Sequence, residues 1–116
     1  MEKKQKLIDE IEEKKEALVA TSMQIILHAG NARGFCNAAV NLGEEGKFEE
    51  AEQLIEHAKK EITKAHVSQT TVIQDEARGI EYPHLLLFTH AQDTLMTIKS
   101  ELSISERFLS ILKIIN

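Results

Sequence analysis

At 116 residues the chain has room for one domain, and 42% hydrophobic residues are enough to build a core and too many for a disordered segment. One proline, no tryptophan and 4% aromatic residues disfavour a β-sheet core, and a formal charge of -5 without a basic stripe argues against binding nucleic acid. The lone cysteine, Cys36, excludes an intramolecular disulfide.

The charged start Met1-Glu2-Lys3-Lys4-Gln5-Lys6 lacks the apolar segment of a signal peptide. The longest strongly apolar run is Leu85-Leu86-Leu87-Phe88, far short of the roughly 20 residues that span a bilayer. A cytoplasmic protein without direct membrane insertion is therefore expected. Its composition, dominated by Ala, Glu, Lys, Leu and Ile, predicts an all-α fold.

Two breaks divide the chain, Gly43-Glu44-Glu45-Gly46-Lys47 and Arg78-Gly79-Ile80-Glu81-Tyr82-Pro83. Glycine ends one helix and proline can open the next, so three long helices are predicted, from about residue 4 to 42, 47 to 77 and 83 to 114. They form a single domain over 1–116. Apolar residues on the first follow a loose three-four spacing through Ile11, Leu18, Ile25, Ala29, Ala32 and Ala39, while Gly30 and Gly34 allow either a close helix approach or a bend. The second helix has a stricter heptad, Phe48, Ala51, Ile55, Ala58, Ile62, Ala65, Gln69 and Val72.

On the third helix the seam runs Phe88, Ala91, Leu95, Ile98, Leu102, Ser105, Leu109 and Leu112. An antiparallel three-helix bundle accounts for all three seams, with Met23 and Met96 also assigned to its core. Leu86, Met96, Ile104, Phe108, Ile111 and Ile115 lie off the seam and exceed what one small bundle can bury. Copies of the same chain are the simplest cover for that surface.

Chemistry is most evident where the third helix turns polar, at Thr89-His90-Ala91-Gln92-Asp93-Thr94. His90 and Asp93, three residues apart, share a helix face. A lone histidine on an apolar helix is more often structural than reactive, and Asp93 there is either a solvated carboxylate or an orienter of the imidazole. His28, His57 and His84 are expected at the surface or in caps, with His57 paired to Glu56 and Glu61. Five histidines and one cysteine offer no zinc-ligand spacing.

The segment Leu85–Thr97 closely resembles the phosphorylated-histidine segment of the enzyme IIA component of the lactose/cellobiose class of the bacterial sugar phosphotransferase system. Three further stretches are similar to that family in the same order: Ala29-Gly30-Asn31-Ala32-Arg33, Gly43-Glu44-Glu45-Gly46-Lys47-Phe48-Glu49-Glu50-Ala51-Glu52, and Ala65-His66-Val67-Ser68-Gln69-Thr70-Thr71-Val72-Ile73-Gln74. The resemblance implies a homotrimer of three-helix subunits, a nine-helix bundle, that receives a phosphoryl group from HPr on His90. The group then passes to the IIB component of a transporter for cellobiose-type β-glucosides or lactose.

The same resemblance implies that Asp93 meets its two symmetry mates on the threefold axis, where a Mg²⁺ ion can sit. Three clustered carboxylates repel unless a cation neutralises them, which favours the axial role over the orienting one. Gln92, Thr94 and, from the first helix, Asn31 or Arg33 are candidate phosphoryl contacts by chemistry, contributed within one chain or across a subunit interface, and His66 is assigned a structural hydrogen bond. Two departures stand out: Thr94 replaces a frequent second histidine, and Gly34 a usual serine. An apolar surround is expected to keep His90 neutral and nucleophilic. The competing reading is a non-catalytic helical adaptor that binds partner helices through the excess apolar face.

Overall fold

The computed structural model describes residues 1–116 as three helices in an up-down-up order: α1 (Glu2–Glu44), α2 (Phe48–Ala77) and α3 (Leu86–Ile115). Their core is built on alternation of small and branched residues. On α2, Ala51, Ala58 and Ala65 are fully buried and interleave with Ile55 and Ile62. Opposite them lie Ile25, Ala29, Ala32 and Ala39 of α1 and Ala91, Leu95 and Ile98 of α3, all at 0% exposure. Alanines let the helix axes approach, and each large side chain so enclosed contributes about 1.5–3 kcal/mol.

The predicted seams of α2 and α3 are observed, with Phe48, Phe88, Ser105 and Leu112 only half-buried at their margins. On α1, Ser22 and Cys36 join the core, a pair that the apolar pattern did not select. Ser22 is tolerated there because its hydroxyl donates to the Leu18 carbonyl at 2.7 Å within the helix. Burial pushes the Cys36 thiol pKa up, so it stays an unreactive packing group.

Several expectations need correction. Met23 and Met96 are exposed, at 52% and 56%, because both fall off the three-four seam of their helices. Ile11 is 47% exposed, since residues 1–17 of α1 are exposed throughout and the first core residue is Leu18. A 43-residue helix is about 64 Å long against about 45 Å for the 30-residue α2 and α3. This difference gives the molecule its 71 × 20 × 19 Å extents. Neither Gly30 nor Gly34 makes a close approach within the chain, for a Cβ at either would meet nothing within 4 Å. Gly43 takes that role instead: a Cβ there would lie 2.4 Å from Leu109 Cδ2.

Polar ties fix the helices in register. Arg33 of α1 grips Glu101 of α3 by donating from Nε and Nη2, at 2.9 and 2.6 Å, and His28 Nδ1 meets Glu61 Oε2 of α2 at 2.5 Å. Lys59 pairs with Glu106 at 3.2 Å and Lys113 with Glu52 across the α2/α3 groove. The Arg33 guanidinium holds Glu101 below the ordinary carboxylate pKa of 4.5. A depressed folded-state pKa stabilises the fold above the ordinary value, and the contribution disappears as pH falls through the folded one. Both side chains are over a third exposed, so the expected loss for Glu101→Gln near neutrality is below about 1 kcal/mol. Urea unfolding of the two proteins should show that gap closing as the pH is lowered below 4.5. A gap that widened in acid would show the pairing to be unimportant.

Candidate functional site

Helix α3 begins at Leu86, three residues later than expected from Pro83, because Leu85 is extended at φ -137° and ψ 114°. His90 is consequently the fifth helical residue, just past the first turn rather than about two turns in. Its ring lies beyond the free N–H groups that would themselves hold an anion. What the helix supplies is placement. Thr94 donates its hydroxyl to the His90 carbonyl at 2.8 Å, so it reinforces this turn and its Oγ1 is already engaged.

His90 is exposed, and its ring makes no hydrogen bond in the chain, including none to Asp93. The orienting alternative for Asp93 is therefore not formed, and the expected apolar enclosure of His90 is absent from the single subunit. Asp93 is also exposed, about 60° round the helix from His90. It lies in a second stripe with Leu86, Thr97, Ser100, Ile104, Ile111 and Ile115, which recurs in steps of three, four and seven and faces away from the core. Leu86, Ile104, Ile111 and Ile115 are 75%, 59%, 55% and 74% exposed.

His90 occupies the flank of this stripe, on the side facing α1. The Arg33–Glu101 bonds set the parallel helices α1 and α3 in register, and in that register Met23 and Leu27, both about half exposed, come level with the first turns of α3. The same register separates Arg33 from His90 by about 16 Å along the axis, so Arg33 is not brought to the imidazole of its own chain. Asn31 is level with about residue 99, still about 14 Å from His90 along the axis, and lies on a face of α1 turned away from α3. Gln92 is about 160° round the helix from His90 and lines a groove of about 310 Å³ with Leu18, Val72, Tyr82 and Phe88. Gln92 thus faces α2 rather than His90.

The remaining histidines separate clearly. His28 is bonded to Glu61, so Glu61 is not available to His57, which instead lies against Phe35 with ring centroids 5.5 Å apart. His66 is exposed on α2 without the structural hydrogen bond expected of it, and His84 is exposed in the α2–α3 connection. No group of three or more His, Cys, Asp and Glu residues is clustered as a metal site within one chain. No helix is long and apolar enough to cross a membrane.

Fold and site define an all-α three-helix subunit with an exposed imidazole beside an outward apolar seam. A family profile described as "PTS system, Lactose/Cellobiose specific IIA subunit" matches residues 20–113. The lichenan-specific phosphotransferase enzyme IIA component of Bacillus subtilis is 45% identical over 73 residues, 63% of this chain and 66% of that protein. The crystal structure of a cellobiose-specific enzyme IIA from Bacillus anthracis superposes with a TM-score of 0.80 at 36% identity, over 83% of this chain and 88% of the other. A solution structure of a chitobiose IIA–HPr complex shares the fold, with a TM-score of 0.76 at 23% identity, over 84% of this chain and 95% of that one. The chain belongs to the lactose/cellobiose-specific IIA family of the phosphotransferase system. Membership gives it a general role in phosphoryl transfer for sugar uptake.

Proposed function

We propose that His90 is the phosphoryl acceptor, charged by HPr and discharged to the IIB component of a transporter for cellobiose-type β-glucosides or lactose. The observation that carries this reading is the exposed, unbonded His90 ring on a rigid helix, within the segment that resembles the family's phosphohistidine site. The lone pair of an unprotonated ring nitrogen attacks phosphorus, and the donor's imidazole leaves with the electrons of the broken P–N bond. One P–N bond replaces another, so little transfer potential is lost. Such a step depends on in-line placement and on neutralising spread charge rather than on acid-base chemistry. HPr and IIB each need the His90 ring, so they bind one site in turn.

The second stripe on α3 is the surface through which three chains assemble, with Asp93 of each near the threefold axis. One carboxylate per chain is the donor set a Mg²⁺ ion needs if three chains share it, since this hard cation takes oxygen ligands and no single chain offers a site. Its contribution would be to cancel the repulsion among the three carboxylates. Chelation of divalent ions should lower the melting temperature of the trimer by several degrees and leave Asp93→Leu unaffected, in thermal scans at fixed chain concentration. An unchanged melting temperature in both proteins would remove the metal from this account.

A further inference from the structure

Across residues 81–84, between α2 and α3, one side-chain hydrogen bond ties the connection to the rest of the chain. Residues 81–84 make no backbone hydrogen bond, and the N-terminus of α3 has no side-chain cap, its cap residue being Leu85. The polar tie across this stretch is the Tyr82 hydroxyl, which donates to Asp75 Oδ2 at 2.6 Å. Asp75 lies in the last turn of α2 and is itself fixed by Arg78, whose Nη2 donates to Oδ1 at 2.5 Å. The Asp75 side chain is only 15% exposed, so both its oxygens are committed inside the corner. Ile80 closes it by donating its N–H to the Asp75 carbonyl at 3.0 Å.

An uncapped helix end frays over its first turn, and His90 lies immediately beyond that turn. If Leu86–Thr89 unwind, the hydrogen bonds that orient the His90 peptide are lost with them. Tyr82, anchored to the rigid end of α2, limits that unwinding by holding the chain four residues before the helix starts. We infer that Tyr82, through Asp75, is a positioning residue for the His90 imidazole, keeping the first turn of α3 formed so that the ring is presented in line with an incoming phosphoryl group. The inference rests on His90 being the acceptor, as proposed above. Tyr82 touches neither donor nor phosphoryl group, and its effect is on the fraction of chains in which the imidazole is correctly aimed.

The test uses the full chain and three variants. Tyr82→Phe removes the hydroxyl and keeps the ring; Asp75→Ala removes the acceptor; Asp75→Asn retains an oxygen that accepts from Tyr82. Amide hydrogen exchange at residues 88–90, the first bonded amides of α3, is measured alongside phosphoryl uptake from HPr charged with phosphoenolpyruvate and enzyme I. For Tyr82→Phe and Asp75→Ala, exchange is expected to accelerate about tenfold, and the uptake rate at saturating HPr to fall about five- to tenfold with an unchanged half-saturation. The final yield of one phosphoryl group per chain should be retained, and Asp75→Asn should recover most of the native rate. Unchanged exchange in Tyr82→Phe would overturn the clamp whether or not the chain takes up phosphate. Faster exchange with a native uptake rate would overturn the positioning role. A native chain that accepts nothing refutes the His90 reading, and with it the positioning inference, while exchange still reports on the clamp.

Discussion

Replacing His90 with glutamine is expected to abolish phosphoryl uptake, by at least about a thousandfold in rate, while leaving the fold intact. The size of the effect follows from the chemistry. Glutamine keeps a polar side chain of similar reach but its amide nitrogen is no nucleophile, so no bond to phosphorus can form. Stability should barely change because His90 is exposed and its ring holds no partner, and surface substitutions away from caps and cores stay within about 0.5 kcal/mol. Rapid-quench uptake from charged HPr, paired with a circular-dichroism melt, separates the two effects. Residual uptake at a tenth of the native rate would move the acceptor elsewhere, with exposed His66 and His84 the next residues to replace.

The second large effect is expected from the outward stripe of α3. Ile104→Asp combined with Ile111→Asp should convert the proposed trimer of 13.1 kDa chains into monomers that remain helical. Both isoleucines are more than half exposed in the single chain and take no part in its core, so the bundle itself loses little. At a threefold interface each substitution is repeated three times, and each unpaired buried carboxylate costs a few kcal/mol, so association weakens by about 10⁴-fold or more. Sedimentation equilibrium at micromolar chain concentration reads the outcome directly. A native chain that sediments as a monomer, or a double variant that stays trimeric, would show that this stripe serves another purpose.

The fold was legible where the chain repeats a pattern. Every expected heptad position of α2 from Ala51 to Val72 is buried, because the alternation of alanine and isoleucine admits only one inward face. On α1 the reading weakened, since Ser22 and Cys36 break an apolar pattern and only the internal bond of Ser22 to Leu18 makes its burial inexpensive. Residues 1–17 kept a helical composition without any signal that no neighbouring helix runs beside them. The start of α3 was misplaced because Pro83 is a good opening residue locally, whereas a tertiary bond from Tyr82 to Asp75 holds the connection extended.

The candidate site divides in the same way. That His90 and Asp93 share a face of α3 was readable from helical spacing; that this face is open in the single chain was not. Partners that depend on long-range register were not: Glu61 lies 33 residues from His28 and Glu101 lies 68 from Arg33, and nothing local announces either pair. Gln92 was chosen as a phosphoryl contact by chemistry, and two residues along a helix turns it away from the His90 of its own chain, which leaves it the His90 of a neighbouring subunit. The apolar surround expected at His90 is not supplied by one chain. Met23, Leu27 and the α3 stripe are the surfaces from which neighbouring subunits would build it.

The most direct test of the central claim is the intact mass of the native chain after incubation with phosphoenolpyruvate, enzyme I and HPr, followed by peptide mapping of the charged protein. One acid-labile phosphoryl group per chain, carried on the peptide containing His90, is the expected result. A folded native protein that gains no mass, or that gains it on another peptide, would contradict the account; in the first case a helical adaptor working through the α3 stripe would be the reading that remains.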